Sequence, residues 1–138
     1  MIAKYLWELG SLIIFILGSI HLGYTFFTNK FSSKNERLIS EMKISYPILT
    51  KKTTMWKAWI GFNASHSSGI MFIGIINFYF ALKYFTVLQN DHFYFLFSIL
   101  TIVFYVWLAK KYWFKKPFTG VLIVLICYIV SYFLTLIN

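Results

Sequence analysis

Four stretches of this chain are long and apolar enough to cross a lipid bilayer, and they take up most of its 138 residues. A membrane helix needs about 20 mainly apolar residues, because the hydrocarbon core is about 30 Å thick. The stretches fall near 5–27, 56–85, 93–109 and 118–137. Inside hydrocarbon no water satisfies the backbone, so a spanning segment must be a helix or part of a closed barrel. Their length selects helices. The expected fold is therefore all-α: an integral membrane up-down four-helix bundle, forming a single transmembrane domain over 1–138. Only 12% of the residues are charged and the mean hydropathy is +0.71, far from the composition of a water-soluble domain. The first stretch does not read as a signal peptide. It is long, lacks a small-x-small cleavage site, and carries one early lysine partly offset by Glu8.

The charges set the expected orientation. Eleven of the thirteen Lys and Arg residues lie in 30–57 and 110–116. The positive-inside rule puts both segments in the cytoplasm, with both termini and the 84–92 connection outside. The formal charge of +9 then serves the bilayer and its anionic headgroups, and is no sign of nucleic-acid binding. The single cysteine, Cys127, lies in an apolar run and cannot form an internal disulfide. It reads as a packing residue, and Trp7, Trp107 and Trp113 read as interfacial aromatic belts.

Segment 28–55 is more than a linker. Ser33 followed by Glu36 has the spacing of a capping box. Leu38, Ile39 and Met42 then follow helical spacing as far as Pro47. One apolar side among many lysines predicts a short amphipathic helix lying in the interface.

The second span carries the chain's unusual polar run, from Trp56 to Gly69. Successive helical residues turn by about 100°. Trp59, Asn63, His66, Ile70 and Asn77 therefore share one face. Gly61, Ser65, Ser68 and Gly69 share another, whose small-x-x-x-small steps suit close helix packing within the chain or in a homo- or hetero-oligomer. An Asn and a His in hydrocarbon need partners. The first span offers His21, Tyr24 and Thr25 on one face, with Thr28 beyond them. His21 lies roughly 9 Å before the end of its helix, and His66 roughly 10–15 Å after the start of its own, at about 1.5 Å per residue. The two imidazoles are thus expected in one layer of the cytoplasmic half of the membrane.

Several chemistries fit such a layer. A pocket for a lipid-like or quinone-like ligand would use His21 or His66 to bond or exchange a proton with the headgroup. Asn63, Tyr24, Thr25 and Asn77 would orient the ligand, and Trp59 would wall it. A b-type haem needs two axial imidazoles from facing helices, with Gly18 and Gly23 giving room and Arg37, Lys51 and Lys52 meeting propionates. A structural network that only fixes helix packing, as in an accessory subunit of a membrane complex, needs neither. Zinc is poorly served, since no Asp or Glu lies in this layer. No nucleotide-binding loop, nucleophile elbow or HExxH motif occurs.

Two motifs, His21-Leu22-Gly23-Tyr24-Thr25-Phe26-Phe27 and the run through Trp56, Trp59, Gly61-Phe62-Asn63-Ala64-Ser65-His66-Ser67 and Gly69, resemble those of a family of small bacterial four-span membrane proteins. The resemblance covers mainly the first half of the chain. It implies a four-helix membrane fold and assigns no activity, so whether the chain is an enzyme stays open; the expected location is a bacterial inner membrane.

Overall fold

A computed structural model describes residues 1–137. It is all-helical, with five helices in order: α1 (Ile2–Phe27), α2 (Glu36–Ile44), α3 (Met55–Leu88), α4 (His92–Tyr112) and α5 (Lys115–Leu136). The four long ones, α1, α3, α4 and α5, are each long and apolar enough to cross a membrane. Each span starts before its sequence-derived bound, and α3 and α4 also end beyond theirs. α4 runs on through Lys110 and Lys111, whose flexible stems let the ammonium groups reach water while the backbone stays helical.

The chain packs as two compact units. One comprises Met1–Leu17 and the described residues from Ile70 on; the other is Gly18–Gly69. α1 and α3 contribute to both.

The first unit holds a hydrophobic core drawn from four helices, including Trp7 and Ile14 of α1, Ile70 and Ala81 of α3, Phe95 and Ile102 of α4, and Val124 and Tyr128 of α5. Trp7 is at its centre and 0% exposed, so it is no belt residue. Its ring stacks on Tyr128 at 3.8 Å and meets Phe95 edge-on at 4.5 Å. The indole N–H donates to Asn77 Oδ1 (3.1 Å), which also accepts from the Tyr94 hydroxyl (3.0 Å). One amide oxygen therefore ties α1, α3 and α4. Trp113 also packs against this core, whereas Trp107 is exposed as a belt residue should be.

In this unit Gly74 lets two helix backbones approach, and Gly10 and Gly120 make room for the Tyr128 and Leu17 side chains. A Cβ on Gly74 would lie 2.7 Å from Phe15 Cβ and 2.8 Å from the Phe15 nitrogen; on Gly10 it would meet the Tyr128 ring at 2.8 Å. Cys127 is buried beside Gly10, as its sequence context suggests. Near its end α3 is interrupted at Tyr84 (φ −130°, ψ 22°). The Lys4 ammonium donates to the Leu82 carbonyl just before that break (3.1 Å) and pairs with Glu8 (3.7 Å). Exposed side chains on these helices are strongly apolar, among them Phe72, Ile75, Leu100, Phe104, Ile126 and Phe133. Such a surface would associate in water, but it suits hydrocarbon.

In the second unit α2 is capped differently from its expected pattern. Asn35, not Ser33, is the N-cap, and its side chain accepts from the Arg37 and Leu38 amides. Ser33 instead forms the turn before it, accepting from the Asn35 amide (3.0 Å). Asn is at least as good a cap as Ser, and starting here puts Glu36 in the first turn, where the helix dipole favours a carboxylate. α2 ends at Ile44, ahead of Pro47, and buries none of its residues.

Candidate functional site

The second unit brings together His21, Asn63 and His66. Small hydroxyls around them are satisfied locally: Thr25 Oγ1 donates to the His21 carbonyl (2.9 Å) and the buried Ser67 Oγ to the Asn63 carbonyl (2.7 Å). These bonds use each residue's own helix, leaving the larger polar side chains to meet across helices.

Asn63 organises the group. Its Nδ2 donates to the Trp59 carbonyl (2.9 Å), which turns Oδ1 toward His21 Nε2 at 3.1 Å. An amide oxygen can only accept, so His21 carries a proton on Nε2, and in the neutral ring Nδ1 holds the lone pair. The His66 ring lies edge-to-face with His21, centroids 5.4 Å apart. Phe31 covers the His21 ring from the α1–α2 connection at 4.4 Å. The two imidazoles, expected near one another on facing helices, are thus in direct ring contact.

Next to this group is a recess of about 240 Å³. Thr25, Phe26, Thr28, Asn29, Phe31 and Ser32 line one side, and Trp56, Trp59, Ile60 and Asn63 the other. Asn63 thus belongs to both the histidine group and the recess wall. The lining has five hydroxyl- or amide-bearing residues, several aromatic rings and no charged side chain. The neighbouring lysines sit over rings: Lys30 Nζ is 3.9 Å from the Tyr24 ring centre and Lys43 Nζ 5.8 Å from that of Trp56.

The sequence-derived set divides here. Thr25, Trp59 and Asn63 line the recess; His21 stands behind Asn63, with His66 against it. Tyr24 is close by through Lys30 and Phe31 but is not in the wall. Asn77 belongs to the first unit, where Trp7 and Tyr94 occupy its acceptor. Asn29, Phe31 and Ser32 were not foreseen as site residues. Their one sequence signal is an aromatic residue in the polar stretch Asn29-Lys30-Phe31-Ser32, which a solvated linker does not need.

The arrangement does not suit a bis-histidine haem. Axial imidazoles must stand on opposite faces of a macrocycle with their nitrogens aimed at the iron. Here one ring packs its edge on the other, and Asn63 engages the Nε2 of His21. Among the described residues no three His, Cys, Asp or Glu side chains cluster as metal ligands.

No protein-family model matches this chain, and neither does any curated protein or solved structure. The functional reading therefore rests on the geometry of the second unit.

Proposed function

We propose that this is a small multi-pass membrane protein that binds the polar head of a lipid-like or quinone-like ligand in the recess of the Gly18–Gly69 unit. The observation that carries the reading is the position of Asn63. One amide hydrogen-bonds His21, is braced by the Trp59 carbonyl, and forms part of the recess wall. A headgroup there meets Thr25, Thr28, Asn29 and Ser32 as polar partners. The Asn29 amide and the Ser32 hydroxyl make no side-chain hydrogen bond to another described residue, so they are available to a ligand. Trp56 and Trp59 supply flat apolar walls. His21, with its tautomer fixed through Asn63, supports a proton-exchanging or hydrogen-bonding role at one remove. Ligand sites commonly have this make-up: mostly apolar walls with a few placed polar groups.

The motif resemblance and the positive-inside rule together favour a bacterial inner membrane, with 28–55 and 110–116 cytoplasmic and both termini outside. A second reading has one observation in its favour. Gly61 and Gly69 have nothing within 4 Å of where a Cβ would be, and Ser65 is exposed. A small-residue face left open by the chain itself suits another membrane helix, in a second copy or in a partner protein.

Mass spectrometry of the protein released from detergent tests the pocket. The expected result is a co-purifying amphiphile that is lost from Asn63→Leu and Trp59→Ala variants. Wild-type protein that carries no bound species, and whose stability is unmoved by Asn63→Leu, would overturn the reading.

A further inference from the structure

The connection between α2 and α3 is pinched into a closed loop. The Met55 amide donates to the Ser45 carbonyl (2.9 Å), tying the loop's base to the first residue of α3. Within it the Thr50 amide donates to the Pro47 carbonyl (3.2 Å), and the Lys52 amide to Thr50 Oγ1 (3.1 Å). Pro47–Thr50 is therefore a hydrogen-bonded β-turn, with Ile48 and Leu49 at its two corners.

Those corners carry the wrong residues for water. Turn corners favour Gly, Asn, Asp, Ser and Pro, which tolerate the geometry or hydrogen-bond their own backbone. No described non-glycine residue has a positive φ, so the turn does not require glycine, but nothing local rewards two large aliphatic side chains either. Ile48 is 109% exposed and Leu49 93%. A departure from local turn chemistry, with no packing gain inside the chain, marks a place where something outside the chain supplies the gain.

The charges around the turn say what that is. Lys51 and Lys52 follow it directly, Lys43 is in the last turn of α2, and no acidic residue occurs between Lys43 and Lys57. All three lysines are exposed. An aliphatic tip ringed by lysines is complementary to an anionic leaflet, apolar beneath and negative at its surface. The loop's base is fixed to the start of a membrane-spanning helix, so the leaflet is already within reach. A soluble partner would have to be recruited, whereas this contact is intramolecular in effect.

We infer that the Pro47–Thr50 turn is a membrane-insertion loop. Ile48 and Leu49 enter the headgroup–acyl boundary of the leaflet where α3 begins, and Lys43, Lys51 and Lys52 hold anionic headgroups around them. The inference uses none of the recess residues and stands apart from the ligand-pocket reading.

The test places an environment-sensitive fluorophore on Ile48→Cys in a Cys127→Ala background. The protein is reconstituted in nanodiscs of zwitterionic phospholipid, with and without anionic phospholipid. An identical label on Asn90→Cys, in the exposed α3–α4 turn, is the aqueous reference. The expected result is blue-shifted emission at position 48, iodide quenching several-fold weaker than at position 90, and strong quenching by nitroxide-labelled lipid. Anionic lipid should deepen all three effects, and Lys51→Gln with Lys52→Gln should remove that dependence. A label as open to iodide as the reference, in both lipid mixtures, overturns insertion. So does a label shielded from iodide and nitroxide lipid alike, which would mean that protein covers the tip. Insertion that is equal with and without anionic lipid overturns the role given to the lysines.

Discussion

Asn63 and Asn77 lie on the same helix and use their amides alike, yet they serve different ends. Each donates Nδ2 to the carbonyl four residues back and turns Oδ1 outward as an acceptor. Asn63 meets one imidazole beside a recess, whereas Asn77 is 4% exposed and accepts from both Trp7 and Tyr94. Helical spacing puts the two asparagines on one face, and that is as far as the residue pattern reaches. Replacing Asn77 with leucine strands two donors in an apolar core. That should cost about 1–3 kcal/mol, the usual penalty for leaving buried polar groups unsatisfied. Intramembrane hydrogen bonds averaging about 0.6 kcal/mol set the floor. Unfolding in mixed micelles measures it. A stability unchanged by Asn77→Leu would show that the shared oxygen does not tie the bundle.

At the scale of the helices, the glycines of α3 separate contact from exposure. Gly74 is pressed against the α1 backbone at Phe15, so Gly74→Ala must push the two helices apart. Overpacking of this kind typically costs about 1–3 kcal/mol. Gly61 faces open space, and Gly61→Ala should be neutral or stabilising by up to about 1 kcal/mol, the difference in helix propensity. Thermal unfolding in dilute detergent checks both. If Gly61→Ala leaves the monomer intact but abolishes a crosslinked oligomer, the open face is a docking surface. The helices themselves were largely legible from sequence, because span length and apolarity act residue by residue. The start of α2 was not, because Ser33 and Asn35 are both good caps and only the path of the chain chooses between them. Trp7 was misplaced for a related reason: near a helix end, a tryptophan suits an interfacial belt as well as a core.

For the whole molecule, the bunched basic residues make a directional prediction. With Cys127 replaced, a cysteine at Asn90 should react with a membrane-impermeant maleimide added to intact cells. One at Ser33 should react only after permeabilisation. The reverse labelling pattern would invert the orientation argued from the charges. Taken by itself, the sequence determined that four helices are long and apolar enough to cross a membrane, which connections are basic, and which residues form the one polar run. Those properties are sums over neighbouring residues and need no partner. Only the tertiary structure decided that Asn63 meets His21 across 42 positions, that Trp7 meets Asn77 across 70, and that a recess opens beside the first pair. A hydrogen bond depends on two side chains reaching one point in space, and helix packing alone fixes where that point is.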